Sequence, residues 1–203
     1  MEQANNSVIL RGELRGLPEF SHENHGKRFY RFYLDVPRLS GAVDTLPIIA
    51  EAHLVQNIDP CGGDMLTIRG QIRSHNCKDE GNRRLLIFVF AHSVLAEDGD
   101  PLNEVELEGP LCRLPTYRRT PLGREICDVM LAVPRAFRRA DYLPCILWGR
   151  TAQEISHCAI RDRIRVTGRL QSRNYVKQLP EGPIQRTAYE ISALNAEVTD
   201  EVL

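Results

Sequence analysis

The stretch from Ile164 to Tyr175 reads I-R-V-T-G-R-L-Q-S-R-N-Y, and its period decides the fold. Ile164, Val166, Gly168 and Leu170 take alternate positions. Arg163, Arg165, Thr167, Arg169, Gln171, Arg173 and Tyr175 take the others. Successive side chains of a strand point to opposite faces, so this alternation predicts a half-buried β-strand. Its polar face is a row of guanidiniums ending in an aromatic ring. Fixed positive charge beside a flat ring suits a single-stranded nucleic acid, which offers phosphates and stackable bases. A solvated Arg-rich face gives the same pattern, so the stretch by itself leaves both readings open.

The same pattern occurs earlier in the chain. Gly70-Gln71-Ile72-Arg73-Ser74-His75-Asn76 meets Gly168-Arg169-Leu170-Gln171-Ser172-Arg173-Asn174 at an offset of 98. Asn6-x-Val8-x-Leu10-x-Gly12 meets Asn103-x-Val105-x-Leu107-x-Gly109 at an offset of 97. Val36-Pro37-Arg38 with Val133-Pro134-Arg135, and Leu46-Pro47 with Leu143-Pro144, keep that offset. A constant offset over so many positions marks a duplicated unit of about 95 residues. The join falls near Glu97-Asp98-Gly99-Asp100-Pro101, where Gly and Pro break any element. Two domains are expected, 1–98 and 102–203.

Each copy follows one plan. Strand one covers Ser7–Leu14, then Glu104–Leu111. A turn with Pro and Gly leads to strand two, Arg28–Val36 and Arg124–Val133. Strand three ends near Glu51 and Trp148, and a short helical segment follows, Ala52–Ile58 and Thr151–Ala159. Thr151 with Glu154 three residues on has the form of a capping box. Strand four is Met65–Cys77 and Arg163–Tyr175; strand five is Arg83–Leu95 and Arg186–Val198. Five strands with one helix between the third and fourth is the order of an OB-fold. The expected fold class is all-β with short helices: two tandem OB-fold barrels.

The 203 residues are 42% hydrophobic and 26% charged, an ordinary globular composition. No apolar run is long enough to span a bilayer and the N-terminus has no signal-peptide core, so a cytoplasmic location is expected. Net charge is −1, but the basic excess lies in the second half. None of the six cysteines (Cys61, Cys77, Cys112, Cys127, Cys145, Cys158) forms C-x-x-C or a zinc-ligand spacing. Reduced structural thiols are expected, with no metal and no cofactor. Asp and Glu are scattered and no His/Glu motif recurs, which argues against a nuclease or other enzyme.

Several segments resemble the bacterial single-stranded DNA-binding protein family. Asn6-Ser7-Val8-Ile9-Leu10-Arg11-Gly12-Glu13-Leu14 is similar to its first strand. Trp148-Gly149-Arg150-Thr151-Ala152-Gln153-Glu154 is similar to its strand-three end and helix start. Arg165–Tyr175 resembles its V-x-G-x-L-x-x-R-x-W strand. The resemblance implies that bases stack on Phe137, Tyr142, Trp148 and Tyr175, while the first copy holds Ser40, Thr45, Glu51 and Cys77 at those places. Tyr142, Ile146 and Trp148 share one strand face by their even spacing. Arg135, Arg165, Arg169, Arg173 and Lys177 are the candidate phosphate contacts; Arg118-Arg119, Arg138-Arg139 and Arg186 are weaker ones. The second domain is thus expected to bind single-stranded DNA and the first to serve assembly.

Leu85-Leu86-Ile87-Phe88-Val89-Phe90-Ala91 is apolar on both faces, which suggests burial against the second copy or another chain. The resemblance further implies four OB domains per assembly, hence a homodimer, and a bacterial, nucleoid-associated protein of replication, repair or recombination. The sequence ends Asp200-Glu201-Val202-Leu203 without the family's Pro-Phe tail, so recruitment of replication and repair partners through such a tail is not expected. An OB-fold scaffold subunit that binds protein rather than DNA is the competing reading.

Overall fold

The fold is taken from a computed structural model that describes residues 5–56, 58, 64–79, 82–179 and 182–199. Cys61, the tips of both long hairpins and the last four residues lie outside the described residues.

Each copy builds a barrel. The first uses β1 (Asn6–Asn24), β2 (Lys27–Pro37), β3 (Val43–Glu51), the short helix α1 (Ala52–Val55), β4 (Met65–Asp79) and β5 (Asn82–Ala96). The strands hydrogen-bond in the order β2-β3-β5-β4-β1, and β1 pairs again with β2 to close the barrel. The second uses β6 (Leu102–Pro110), β7 (Thr116–Arg119), β8 (Glu125–Arg135), β9 (Arg139–Trp148), α2 (Gly149–Ile155), β10 (Arg163–Leu179) and β11 (Gly182–Thr199). Its order is β6-β10-β11-β9-β8-β7, and a bridge from Leu111 to Leu131 brings the first strand back toward β8. The β3–β5 and β9–β11 contacts are parallel and the rest antiparallel. This is the OB-fold, twice in tandem.

The opening stretch lies on β10. Ile164, Val166 and Leu170 are fully buried, as the alternation requires. Gly168 sits where the β10–β11 register shifts, and a Cβ there would stand 2.3 Å from the carbonyl oxygen of Ser192. Gly70, its counterpart, meets the carbonyl oxygen of Phe90 at 2.2 Å in the same kind of register shift. Glycine is needed at both because the bulged partner strand lies too close for any side chain.

The barrels join through β1 and β6, antiparallel, into one continuous sheet. Val8 faces Val105, its own counterpart, while Asn6 faces Leu107 and Leu10 faces Asn103. The two copies are therefore related as the halves of an isologous dimer interface. The polar contacts obey the same relation. Buried Asp44 accepts the Ser172 backbone N–H at 2.7 Å and is bound by Arg38, which also donates to the Ser172 carbonyl. Buried Asp141 accepts the Ser74 backbone N–H at 2.8 Å and faces Arg135 and Arg73, each at 3.5 Å. A buried carboxylate is tolerated only when it is paired in this way.

Three local expectations change. β1 does not turn at Leu17-Pro18 but runs on to Asn24, forming a two-stranded arm with β2. Pro18 lies in a register shift between Arg15 and Glu19, where no ladder donor is required. The chain reverses at His25-Gly26, both at positive φ (48° and 72°), the geometry of a two-residue hairpin. In the second copy Arg118 and Arg119 are on β7 rather than in a turn. Finally, α2 begins at Gly149 after Trp148, with no side-chain cap; Glu154 instead accepts from Arg150 at 2.8 Å. On β5, Ile87, Val89 and Ala91 are buried, whereas Phe88 and Phe90 are half-buried. Phe29 and the Arg73 guanidinium flank the Phe90 ring.

Candidate nucleic-acid interface

β9 alternates cleanly. Asp141, Leu143, Cys145 and Leu147 point inward; Tyr142, Ile146 and Trp148 point out together. Trp148 stands at the strand end, 40% exposed, and its indole N–H donates to Ser192 Oγ at 3.1 Å. Ser192 is opposite Ile146 on one side and opposite Arg169 on the other. Ile146, Ser192 and Arg169 thus form one row across β9, β11 and β10, and Trp148, two residues further along β9, is tied to that row through Ser192. Tyr142 is 43% exposed, and its backbone N–H donates to Ser74 Oγ of the first barrel at 2.8 Å. Tyr175, 37% exposed, lies on the long β10–β11 hairpin with the Arg173 guanidinium 5.9 Å from its ring centre. Phe137 is 92% exposed because it and Arg138 take positive φ in the β8–β9 turn, which throws the ring outward.

The cations divide into three groups. Arg169, Arg173 and Lys177 accompany the rings. Arg169 has no carboxylate in ion-pair reach among the described residues. Arg173 is 3.6 Å from Glu190, whose carboxyl burial pushes above its ordinary range, with Asp128 adding to the shift against the pull of Arg173. Arg165 belongs to a second group. Glu108, Glu197 and Glu106 surround it at 2.8, 3.3 and 3.9 Å. Burial raises the Glu108 carboxyl, but the bonds from Arg165 and Arg163 outweigh it and hold the group low. Ten strand residues, about 33 Å, separate Arg165 from Tyr175. Arg135 forms the third group, bound to Asp141 at the join between barrels. Arg118 and Arg119 are matched by Asp128 (2.6 Å) and Glu125 (2.9 Å).

Ser192 and Glu190 had no signal of their own in the sequence. Both lie on the polar side of β11, but only the strand register shows that they face Trp148 and Arg173. In the first barrel, Glu51 at the Trp148 position pairs with Lys27 (2.9 Å) and His53 (3.3 Å). Thr45 at the Tyr142 position bonds Asp35 and Arg15. Cys127 and Cys145 are buried, and burial lifts the Cys127 thiol to about 11 and that of Cys145 further still, so both act as core. Among the described residues, no three His, Cys, Asp or Glu side chains gather as a metal site, and no helix is long and apolar enough to cross a membrane.

By fold the chain is a tandem OB-fold protein, a class whose barrels bind oligonucleotides and oligosaccharides. The model of the single-strand binding protein family matches residues 102–199. The single-stranded DNA-binding protein B of Bacillus subtilis (strain 168) is 38% identical over 80 residues, covering 36% of this chain and 71% of that protein. The single-stranded DNA-binding protein 1 of Staphylococcus aureus (strain COL) is 39% identical over 84 residues, covering 38% of this chain and 50% of that one. The chain belongs to the single-strand binding protein family. It spans about half the length of several of the curated relatives it matches. The crystal structure of the wild-type single-stranded DNA binding protein from Thermus aquaticus superposes with a TM-score of 0.78 at 22% identity, over 97% of this chain and 93% of that one. A deletion mutant of the same protein matches 100% of this chain and 98% of its own at 0.77 and 23%. The likeness in fold extends over both barrels.

Proposed function

We propose that this chain is a non-catalytic single-stranded DNA-binding protein whose second barrel carries the binding face. The half-exposed Trp148, tied by its indole N–H to Ser192 opposite Arg169, with Tyr142 on the same strand face, carries the reading. Half-exposed rings, of which Trp148 is fixed by its hydrogen bond to Ser192, can stack on bases without reading their identity, worth about 1–3 kcal/mol per base. Arg169, Arg173 and Lys177 meet phosphates, so affinity falls as salt rises. Phe137 in the β8–β9 turn and Tyr175 on the β10–β11 hairpin add two further exposed rings. Arg135 and Arg165 are the least available of the candidate cations, because carboxylates already hold them. The relatives are named for single-stranded DNA, and the roles in replication, repair and recombination come to this chain through that kinship. Two barrels per chain suit a homodimer presenting four OB domains.

Anisotropy of a labelled oligo-dT titrated with the full chain tests the reading. Trp148→Ala lowers affinity about 5- to 150-fold at constant salt. Equal affinity of wild type and variant, or no binding at low salt, contradicts it and favours a protein-binding scaffold.

A further inference from the structure

The arm that β1 and β2 build beyond the first barrel carries an aromatic and cationic cluster of its own. Phe20 and Tyr30 are direct cross-strand partners, with ring centres 6.1 Å apart at 83°. The Arg28 guanidinium lies 5.2 Å from the centre of Phe20 and 5.8 Å from that of Tyr30. Phe20 is 53% exposed, on a ribbon whose β1 residues from Arg15 to Asn24 are exposed except Pro18, so core packing does not account for the ring. The other arm cations are matched: Lys27 by Glu51 at 2.9 Å, Arg31 by Glu19 at 3.6 Å, Arg15 by Asp35 at 3.5 Å. Among the described residues, Arg28 has no carboxylate partner.

The second copy supplies the control. Tyr117 occupies the Phe20 position at the repeat offset of 97 and is also exposed. There Glu125 replaces Arg28, and the neighbouring Arg118 and Arg119 are bound by Asp128 and Glu125. Both copies keep the aromatic; only the first leaves a guanidinium beside it uncompensated.

We propose that this arm is a second contact for single-stranded DNA, with a base stacked on Phe20 and a phosphate bound by Arg28. The proposal rests on the function proposed for the second barrel, whose strand it would extend onto the first. A cation held against ring faces keeps its N–H donors for an acceptor outside the protein. Phosphate next to a base supplies both the acceptor and the flat partner. An apolar protein patch, such as the arm of a second copy, would bury Arg28 without a counter-charge, which is costly.

The test uses the full chain, the variants Phe20→Ile and Arg28→Gln, and dT oligomers of graded length. Ile keeps the arm's β-propensity and apolar surface while removing the ring. The shortest oligomers that quench Trp148 bind both variants as they bind wild type. Longer ones bind Phe20→Ile about 5-fold more weakly or worse, and Arg28→Gln lowers the slope of log affinity against log salt by about one. Cross-linking of bromodeoxyuridine oligomers to wild type yields adducts on the peptide Gly16–Lys27. Unchanged affinity of both variants for long oligomers without arm adducts overturns the proposal. So does a changed oligomeric state at unchanged affinity, which would make the arm a protein contact. If no oligomer quenches Trp148 in wild type, the parent reading fails as well.

Discussion

The two barrels share a strand order, a glycine at the same bulge and a mirrored set of join contacts, yet they present different outer faces. At the four positions where the second barrel holds Phe137, Tyr142, Trp148 and Tyr175, the first holds Ser40, Thr45, Glu51 and Cys77. The interior and the join therefore tolerate little change, whereas the surface of the same barrel can carry rings or ion pairs. The inward residues set the fold and the outward ones set the chemistry. The first barrel's own rings have moved to β2, β5 and the arm, where Phe29 stacks on His22 at 4.9 Å and packs against Phe90.

The likeness of the joins is tested first, because it carries the largest effects. Asp44→Ala and Asp141→Ala each leave buried partners without their acceptor, and each destabilises the chain by about 3–5 kcal/mol in thermal or urea unfolding. Similar costs for the two support the two-fold relation; a silent Asp44→Ala would break it. Gly168→Ala and Gly70→Ala force a Cβ onto a partner carbonyl and cost about 1–3 kcal/mol each.

The difference between the faces is tested next. Glu51→Ala does not lower oligo-dT affinity, in contrast to the loss expected from Trp148→Ala. Glu190 gives the smallest effect. Burial raises its carboxyl, so it takes a proton at a higher pH than an ordinary carboxylate. As pH falls through that range, the negative charge opposite Arg173 disappears and DNA binding tightens. The ionised form also weighs against the fold, so its contribution to stability is lost as pH rises through the same range. Glu190→Gln flattens that part of the pH profile and binds slightly more tightly on its alkaline side.

Most of the fold was legible because alternation and a constant repeat offset are local signals. Ile164, Val166 and Leu170 point inward as the period of two requires, and Tyr142 and Trp148 share a face for the same reason. What escaped depends on neighbours distant in sequence. Arg165 reads as part of a basic stripe until β6 brings Glu106 and Glu108 beside it. Arg135 reads as a phosphate contact until Asp141 is seen buried at the join. Asp44 and Asp141 carry no signal of their own in the sequence, and only the packing of the two copies gives each a backbone N–H to accept. The arm was hidden by Pro18, whose usual meaning as a strand breaker is cancelled by a register shift. Thr151 has the sequence of a cap, but the left-handed Gly149 (φ 55°) starts the helix two residues earlier.

Trp148 is the chain's only tryptophan, so its emission reports the second barrel's outer face and nothing else. Titrating the full chain with oligo-dT while following that emission tests the central claim directly. Saturable quenching that added salt reverses is the expected result. Binding detected by anisotropy while Trp148 emission stays unchanged would place the DNA elsewhere and contradict the account.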